Sequence, residues 1–139
     1  MKKGFTCGIF DLFHAGHVLM LEECRKNCDY LIVALNKAEH IDETVNPEKK
    51  TPVYSIEERV LILKACRYVD EELVYNSEEE LLQILKSKPI DIRFLGEDYR
   101  EKKITGVELN IPIHFTDRSH GLSSSNYRSL IIKKSNSLW

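Results

Sequence analysis

The sequence has no long uninterrupted run of apolar residues. A membrane-spanning helix needs about 20 of them in succession, and none of the 139 residues lies in such a stretch. The N-terminus carries Lys2 and Lys3, but the apolar segment that a secretion signal places after such charges is missing. We therefore expect no membrane partner and a cytoplasmic location.

An excess of charge of either sign is also missing. Lys and Arg number 20 while Asp and Glu number 22, which gives a formal net charge of −2. Proteins that coat nucleic acid usually carry a basic excess, because they neutralise many phosphates at once. We therefore expect no nucleic-acid partner, although a small local group of cations that binds one phosphorylated molecule is compatible with this balance.

Cysteine pairs with the spacing of a zinc site are absent as well. The four cysteines are Cys7, Cys24, Cys28 and Cys66, and the closest two are four positions apart rather than three. Without a secretion signal, we expect all four to be reduced thiols. The single tryptophan is the last residue, Trp139, which argues against a tryptophan-lined cage for a quaternary ammonium group.

The apolar segments that are present predict one domain, residues 1–139, in which strands alternate with helices. Strands are expected at 3–7, 30–35, 72–75, 91–95 and 111–115, and helices at 16–28, 55–67, 77–87 and 123–134. This alternation is typical of an α/β fold with helices on both faces of a parallel sheet. Ligands bind such sheets beyond the carboxyl ends of the strands, and the long polar loop 37–54 is a further candidate for a functional segment.

A first motif, Gly8-Ile9-Phe10-Asp11-Leu12-Phe13-His14-Ala15-Gly16-His17, joins the first strand to the first helix. Gly16 lets the backbone approach a ligand, and the helix start offers free N–H groups to an anion. The two imidazoles could donate hydrogen bonds to a phosphoryl group. Three alternatives stay open: the histidines cap or pack the helix start, they bind a metal with a third ligand such as His114 or His120, or the motif arises by chance.

A second motif, Arg118-Ser119-His120-Gly121-Leu122-Ser123-Ser124-Ser125, leads into the last helix. Hydroxyls, a guanidinium and a helix start suit phosphate oxygens. An ordinary serine N-cap is the alternative. The presence of two such motifs at strand ends in one small chain favours an anion site.

Together the two motifs resemble the nucleotidyltransferase family with the HxGH signature. The most similar branch is that of the small cytidylyltransferases related to glycerol-3-phosphate cytidylyltransferase. Further similarity lies in the helix entry 54–59, in Arg67-Tyr68-Val69-Asp70-Glu71 and in Gly96-Glu97-Asp98-Tyr99, so that the resemblance covers almost the whole chain.

The resemblance implies a Rossmann-like α/β domain with a five-stranded parallel sheet of order 3-2-1-4-5. It implies transfer of CMP from CTP to a phosphorylated alcohol, giving a CDP-linked product and pyrophosphate. The acceptor would be glycerol 3-phosphate or a related phosphorylated polyol, sugar or amino alcohol, used for a cell-surface polymer. Mg²⁺ would be bound mainly through the nucleotide phosphates, and the chain would be a homodimer.

The resemblance also assigns roles to particular positions. The catalytic residues would be His14, His17, Lys50 and Arg118. The nucleotide would be bound by Gly8, Ile9, Phe10, Gly16, Gly96, Asp98, Gly121, Ser123 and Ser124. The acceptor phosphate would be bound by Lys49, Arg59 and Arg67, and no residue would be a dedicated metal ligand.

Two positions depart from the branch. Ile9 stands where a threonine is usual, and His120 stands where an acidic residue is usual. These departures leave open a nucleotide-binding module without catalysis. Related adenylyltransferases leave open a second alternative, an ATP-dependent adenylyltransferase of the same fold.

Overall fold

The computed structural model describes residues 1–39 and 51–138. Within them, the strands are β1 (Lys3–Gly8), β2 (Tyr30–Asn36), β3 (Glu71–Tyr75), β4 (Ile92–Gly96) and β5 (Ile113–Thr116). The α-helices are α1 (Ala15–Lys26), α2 (Ile56–Ala65), α3 (Glu78–Ser87) and α4 (Ser124–Leu138). Short 3-10 helices occur at Glu97–Tyr99 and Val107–Leu109. No helix in the described ranges is long and apolar enough to cross a membrane.

The five strands form one parallel sheet in the order β3-β2-β1-β4-β5, which confirms the predicted order. β1 lies at the centre, where Gly4 pairs with Leu31 of β2 on one side and with Ile92 of β4 on the other. The change in strand order at β1 brings the ends of β1 and β4 side by side. In such sheets a ligand crevice opens at this switch point.

The buried strand β2 explains how helices cover both faces of the sheet. Its side chains alternate between two core clusters: Leu31, Val33 and Leu35 belong to one, and Ile32 and Ala34 belong to the other. The first cluster includes apolar residues of α1 and α2, and the second includes residues of α3. A strand buried on both faces is apolar at nearly every position, which is why this segment could be predicted.

Two helices, α2 and α4, end at residues other than the predicted ones. α2 ends at Ala65 rather than at residue 67, because the chain must turn into β3. That turn is held by hydrogen bonds in both directions between Leu31 and Asp70. α4 continues to Leu138 instead of fraying after residue 134. No glycine or proline follows Gly121 to end this helix.

Candidate active site

The two histidines of the first motif form the N-terminal cap of α1. His14 Nδ1 accepts a hydrogen bond from the Gly16 N–H at 3.0 Å, and His17 Nδ1 accepts one from the His14 N–H at 3.2 Å. Because each Nδ1 acts as an acceptor, each neutral ring carries its proton on Nε2. The capping alternative and the phosphate-binding hypothesis are therefore compatible, since capping leaves Nε2–H as the group that can serve a ligand.

Both imidazoles are held in the neutral form. Burial, the neighbouring His14 ring and the charge of Arg118 lower the pKa of His17 to about 3. The pKa of His14 is lowered mainly by burial, and then by His120 and Arg118. At neutral pH the pair thus supplies hydrogen-bond donors without a positive charge of its own.

Aromatic packing fixes the orientation of these rings. The centres of the His14 and His17 rings are 3.9 Å apart, and Phe10 and Phe13 each lie 5.2 Å from His17. On the other side, the Tyr127 ring of α4 lies 4.9 Å from His14. Preorganised donors need no reorientation when charge develops on a ligand, so this packing is suited to catalysis.

Gly16 allows the two motifs to approach each other. A Cβ atom at this position would lie 2.8 Å from His14 Cε1 and 3.0 Å from Leu122 Cβ. Contacts this short leave no room for a methyl group. The turn that carries the second motif therefore packs directly on the start of α1.

Asp11 connects the first motif to two other parts of the chain. Its carboxylate accepts hydrogen bonds from the Val53 N–H at 2.8 Å and the Tyr54 N–H at 2.9 Å, and it forms an ion pair with Arg128 of α4. Ser124 Oγ donates to the Asp11 carbonyl at 2.8 Å. Burial alone would raise the pKa of Asp11, but these N–H donors and Arg128 outweigh it and lower the pKa.

The loop around Asp11 has an unusual backbone. Phe10 and Leu12, on either side of Asp11, adopt left-handed conformations with φ of 53° and 50°. Such conformations are costly for residues with a side chain and persist only when neighbouring contacts hold them. The hydrogen bonds of Asp11 provide that support, so the strained loop places the histidines.

An open cavity of about 190 Å³ lies beside the second motif, where Asp98, Arg118, Gly121, Leu122 and Ser123 line it. Arg118 Nη1 is 3.6 Å from Asp98 Oδ1 at its edge. This cavity lies beyond the carboxyl ends of β4 and β5, where the second motif predicts an anion site.

The absence of a side chain at Gly96 allows Asp98 and Arg118 to approach each other. A Cβ atom at Gly96 would lie 2.5 Å from Asp98 Oδ1 and 3.1 Å from Arg118 Nη1.

Ser123 caps the N-terminus of α4, because its Oγ accepts a hydrogen bond from the Asn126 N–H at 3.1 Å. The ordinary serine N-cap, one of the two interpretations of the second motif, is therefore present.

Comparison with known proteins identifies the family. Residues 5–130 match the family described as cytidylyltransferase-like. The chain belongs to this family. It is 34% identical to the glycerol-3-phosphate cytidylyltransferase of Bacillus subtilis (strain 168) over 94% of this chain and 98% of that protein. It is also 35% identical to the bifunctional protein HldE of Gluconacetobacter diazotrophicus over 78% of this chain, and spans only 22% of that protein's length.

Two solved structures share the fold of this chain. The lipopolysaccharide core biosynthesis protein of Thermoplasma volcanium matches with a TM-score of 0.63 and 23% identity, over 83% of this chain and 93% of that one. The pantoate-beta-alanine ligase of Francisella tularensis matches with a TM-score of 0.51 and 17% identity, over 91% of this chain and 67% of that one. At these identities the likeness concerns the fold alone.

Most positions that the cytidylyltransferase resemblance singled out lie at the predicted edge of the sheet. Those at the end of β1 and the start of α1 are Gly8, Ile9, Phe10, His14, Gly16 and His17, those at the end of β4 are Gly96 and Asp98, and those after β5 are Arg118, Gly121, Ser123 and Ser124. Their roles toward a nucleotide stay predictions.

The structure corrects the role predicted for Arg59. It is only 2% exposed, and its guanidinium donates to the carbonyls of Asn36, Lys37 and Ile9 at 2.6, 2.7 and 3.0 Å, and to that of Tyr54 at 3.3 Å. The prediction that it binds the acceptor phosphate conflicts with this arrangement. Arg59 instead holds together the backbone segments that follow β1 and β2.

Of the other residues predicted to bind the acceptor phosphate, the structure describes only Arg67. Arg67 is exposed, and it borders an open cavity of about 350 Å³ that Phe13 and Tyr68 also line. It is therefore accessible to a ligand. Lys49 and Lys50 lie outside the described residues, so their roles stay predictions.

The metal alternative finds no support in the described part of the chain. No group of three or more His, Cys, Asp and Glu side chains there could hold a metal ion. His114, one of the suggested third ligands, has its Nε2 2.6 Å from Glu23 Oε2. His14 and His17 use their Nδ1 atoms for backbone hydrogen bonds.

Sequence reasoning assigned no role to Asp11, Tyr127 or Arg128. The available signal for Asp11 was its position within the first motif, between Phe10 and Phe13. For Tyr127 and Arg128 the sequence contains no local signal, because their contacts with His14 and Asp11 depend on how α4 packs.

Proposed function

We propose that this chain is a cytidylyltransferase that transfers CMP from CTP to a phosphorylated alcohol. The observation that carries the proposal is the pair of neutral, Nε2-protonated imidazoles at the start of α1, close enough to Arg118 for its charge to lower both pKa values. Two neutral donors and one cation suit a phosphoryl group on which negative charge develops.

The proposed reaction is a direct displacement. A phosphate oxygen of the acceptor attacks the α-phosphorus of CTP and forms a new P–O bond. The bond from the α-phosphorus to the bridging oxygen breaks, and pyrophosphate leaves with the electron pair. A phosphate monoester is already ionised near neutral pH, so the reaction needs alignment and charge stabilisation rather than a strong base.

In this proposal, residues that follow different strands bind different parts of the nucleotide. His14 and His17 would contact the phosphates around the α-phosphorus, and Arg118 with the start of α4 would bind the β- and γ-phosphates. Gly96 and Asp98 would line the cytidine side. At the cavity edge, Arg118 and Ser123 carry N–H and O–H donors that fit phosphate oxygens, so Mg²⁺ would arrive bound through the phosphates and neutralise part of their charge.

The acceptor is proposed to be glycerol 3-phosphate or a related phosphorylated polyol, sugar or amino alcohol, bound with the help of Arg67 and of Lys49 and Lys50. The product would serve a cell-surface polymer. The name of the Bacillus subtilis relative, which this chain matches over nearly its full length, supports this class of acceptor.

A homodimer belongs to the same proposal. Leu130, Ile131 and Ile132 of α4 are 44%, 60% and 62% exposed, and exposed apolar side chains favour burial against another subunit. Sedimentation equilibrium of the wild-type chain tests it, and a monomer at micromolar concentration would contradict it.

The decisive experiment measures pyrophosphate release with Mg²⁺, CTP or ATP, and a panel of phosphorylated alcohols. We expect turnover with CTP and at least one member of the panel. Turnover with ATP alone would replace the proposal by an adenylyltransferase. Tight binding of CTP without pyrophosphate release from any pair would replace it by a nucleotide-binding module.

A further inference from the structure

His120 is held in one orientation by the turn that precedes α4. Its Nδ1 accepts a hydrogen bond from the Leu122 N–H at 2.9 Å, and the Gly121 N–H donates to the Arg118 carbonyl at 3.1 Å. With Nδ1 acting as an acceptor, the neutral ring carries its proton on Nε2. His120 therefore has the same tautomer as His14 and His17.

The Nε2 of His120 is buried and has no hydrogen-bond partner among the described residues, and the same holds for the Nε2 of His14. A buried N–H group without an acceptor is costly, and such a group in a native site calls for a missing partner. Two donors of this kind in one site call for an acceptor with several lone pairs.

The two imidazoles belong to one region. His120 lies close enough to His14 to contribute to the lowering of the pKa of His14. Leu122, whose N–H donates to His120, lies against the start of α1, because a Cβ atom added at Gly16 would be 3.0 Å from Leu122 Cβ. The turn thus joins the two motifs, and it also carries Arg118 and lines the cavity beside the start of α4.

We propose that His120 is a third imidazole of the nucleotide site, whose Nε2–H donates a hydrogen bond to the diphosphate that leaves as pyrophosphate. This inference rests on the proposed function, which places the β- and γ-phosphates beside Arg118 and the start of α4. Because the two Nε2 atoms are buried, nucleotide entry must shift the groups that cover them. A carboxylate at position 120, as is usual in the related branch, could not donate in this way.

The competing explanation is that His120 only shapes the turn through Nδ1. Three variants separate the two nitrogens. His120→Asn keeps an acceptor for the N–H two residues on, as in an Asx turn, but has nothing at the place of Nε2–H. His120→Gln extends an amide N–H toward that place, and His120→Ala removes both functions.

The experiment is calorimetric titration of the wild-type chain and the three variants with inorganic pyrophosphate, CTP and CMP in Mg²⁺, together with each melting temperature. We expect His120→Asn and His120→Ala to bind pyrophosphate and CTP on the order of tenfold more weakly, as for the loss of one charge-assisted hydrogen bond. CMP binding should be unchanged. His120→Gln should recover part of the loss, and His120→Asn should keep the wild-type melting temperature.

Wild-type pyrophosphate affinity in His120→Asn would overturn the inference, as would an equal loss for CMP or no pyrophosphate binding by the wild-type chain. These outcomes are separate from failure of the proposed function. A chain that binds pyrophosphate through His120 but transfers no nucleotide would refute only the transferase proposal, and an active enzyme indifferent to His120→Asn would refute only the role of His120.

Discussion

The carboxylate of Asp11 forms an ion pair with the guanidinium of Arg128, a residue 117 positions later in the chain. The contact joins the strained loop after β1 to the second turn of α4. Since the same carboxylate also accepts two backbone N–H groups, it holds three segments around the histidines. Loss of its charge should therefore affect both the fold and the site.

Replacing Asp11 by Asn should lower the free energy of unfolding by about 2 kcal/mol, because a hydrogen bond between charged groups is lost and Arg128 is left without its partner. Urea denaturation followed by circular dichroism measures the change. The matched control is Glu97→Asn, which removes an exposed carboxylate paired with Arg100 and should leave the urea midpoint unchanged. Equal midpoints for the two variants would contradict the role of Asp11.

His17 predicts how stability depends on pH. Its pKa is about 3 in the folded chain against an ordinary value of 6.5, so between these values the unfolded chain binds a proton that the folded chain does not. The free energy of unfolding should therefore fall as pH decreases from 6.5 toward 3, with a contribution approaching about 1.4 kcal/mol per pH unit. Above pH 6.5 this contribution is constant.

His17→Asn isolates that contribution, because an asparagine can accept the His14 N–H but does not titrate. Denaturation midpoints of the wild-type chain and this variant, measured at several pH values from 7.5 to 4, should show a weaker decline for the variant. Parallel curves would mean that His17 is not buried in its neutral form.

The same variant tests catalysis. If His17 Nε2–H stabilises the transition state, His17→Asn and His17→Ala should both lose on the order of 10²–10³ in kcat. The asparagine variant lacks the ring that packs against Phe10 and Phe13, so its stability is measured alongside its rate. Rate measurements are compared with the urea midpoints of the same preparations. A fully active His17→Asn variant would assign the residue to helix capping alone.

Patterns within short segments made the sheet predictable. The apolar run of β2 and the alternation of strands and helices depend on neighbours in the sequence, and they predicted a parallel sheet. The order of its strands, which the structure confirms, was implied by the resemblance alone. The exact end of α2 was not predictable, because the pairing of Leu31 with Asp70 is made across the sheet. Local patterns carry no information on such a contact.

The site was predictable only in part for the same reason. His14, His17 and Arg118 could be singled out from motifs, but the protonated nitrogen of each imidazole follows from a backbone contact visible only in the fold. Arg59 looks like any basic residue beside Glu57 and Glu58 in a helix. Its spacing of four from the buried Leu63 was the one hint that it faces inward.

Gly96 offers a test of the cavity edge. In Gly96→Ala the new methyl group would lie 2.5 Å from Asp98 Oδ1, so the flexible Asp98 side chain must move and the pair with Arg118 must rearrange. We expect a KM for CTP raised severalfold with little change in stability. Urea midpoints of Gly96→Ala and of the wild-type chain, compared with their KM values, separate this local effect from a loss of stability. A KM that is unchanged in Gly96→Ala would remove Asp98 from the nucleotide site.

Lysine substitutions at Arg59 and Arg67 should have different effects, because Arg59 supports the fold and Arg67 is proposed to bind the acceptor. Arg59→Lys leaves buried carbonyl groups without donors, because an ammonium group cannot reproduce the planar arrangement of guanidinium N–H groups. Its free energy of unfolding should fall by about 2–4 kcal/mol, through the loss of several buried hydrogen bonds. Arg67→Lys at an exposed position should leave stability unchanged and raise the KM for the phosphorylated acceptor but not for CTP. Urea denaturation and two-substrate kinetics measure the two effects, and a stable Arg59→Lys variant with a raised acceptor KM would restore Arg59 to the acceptor site.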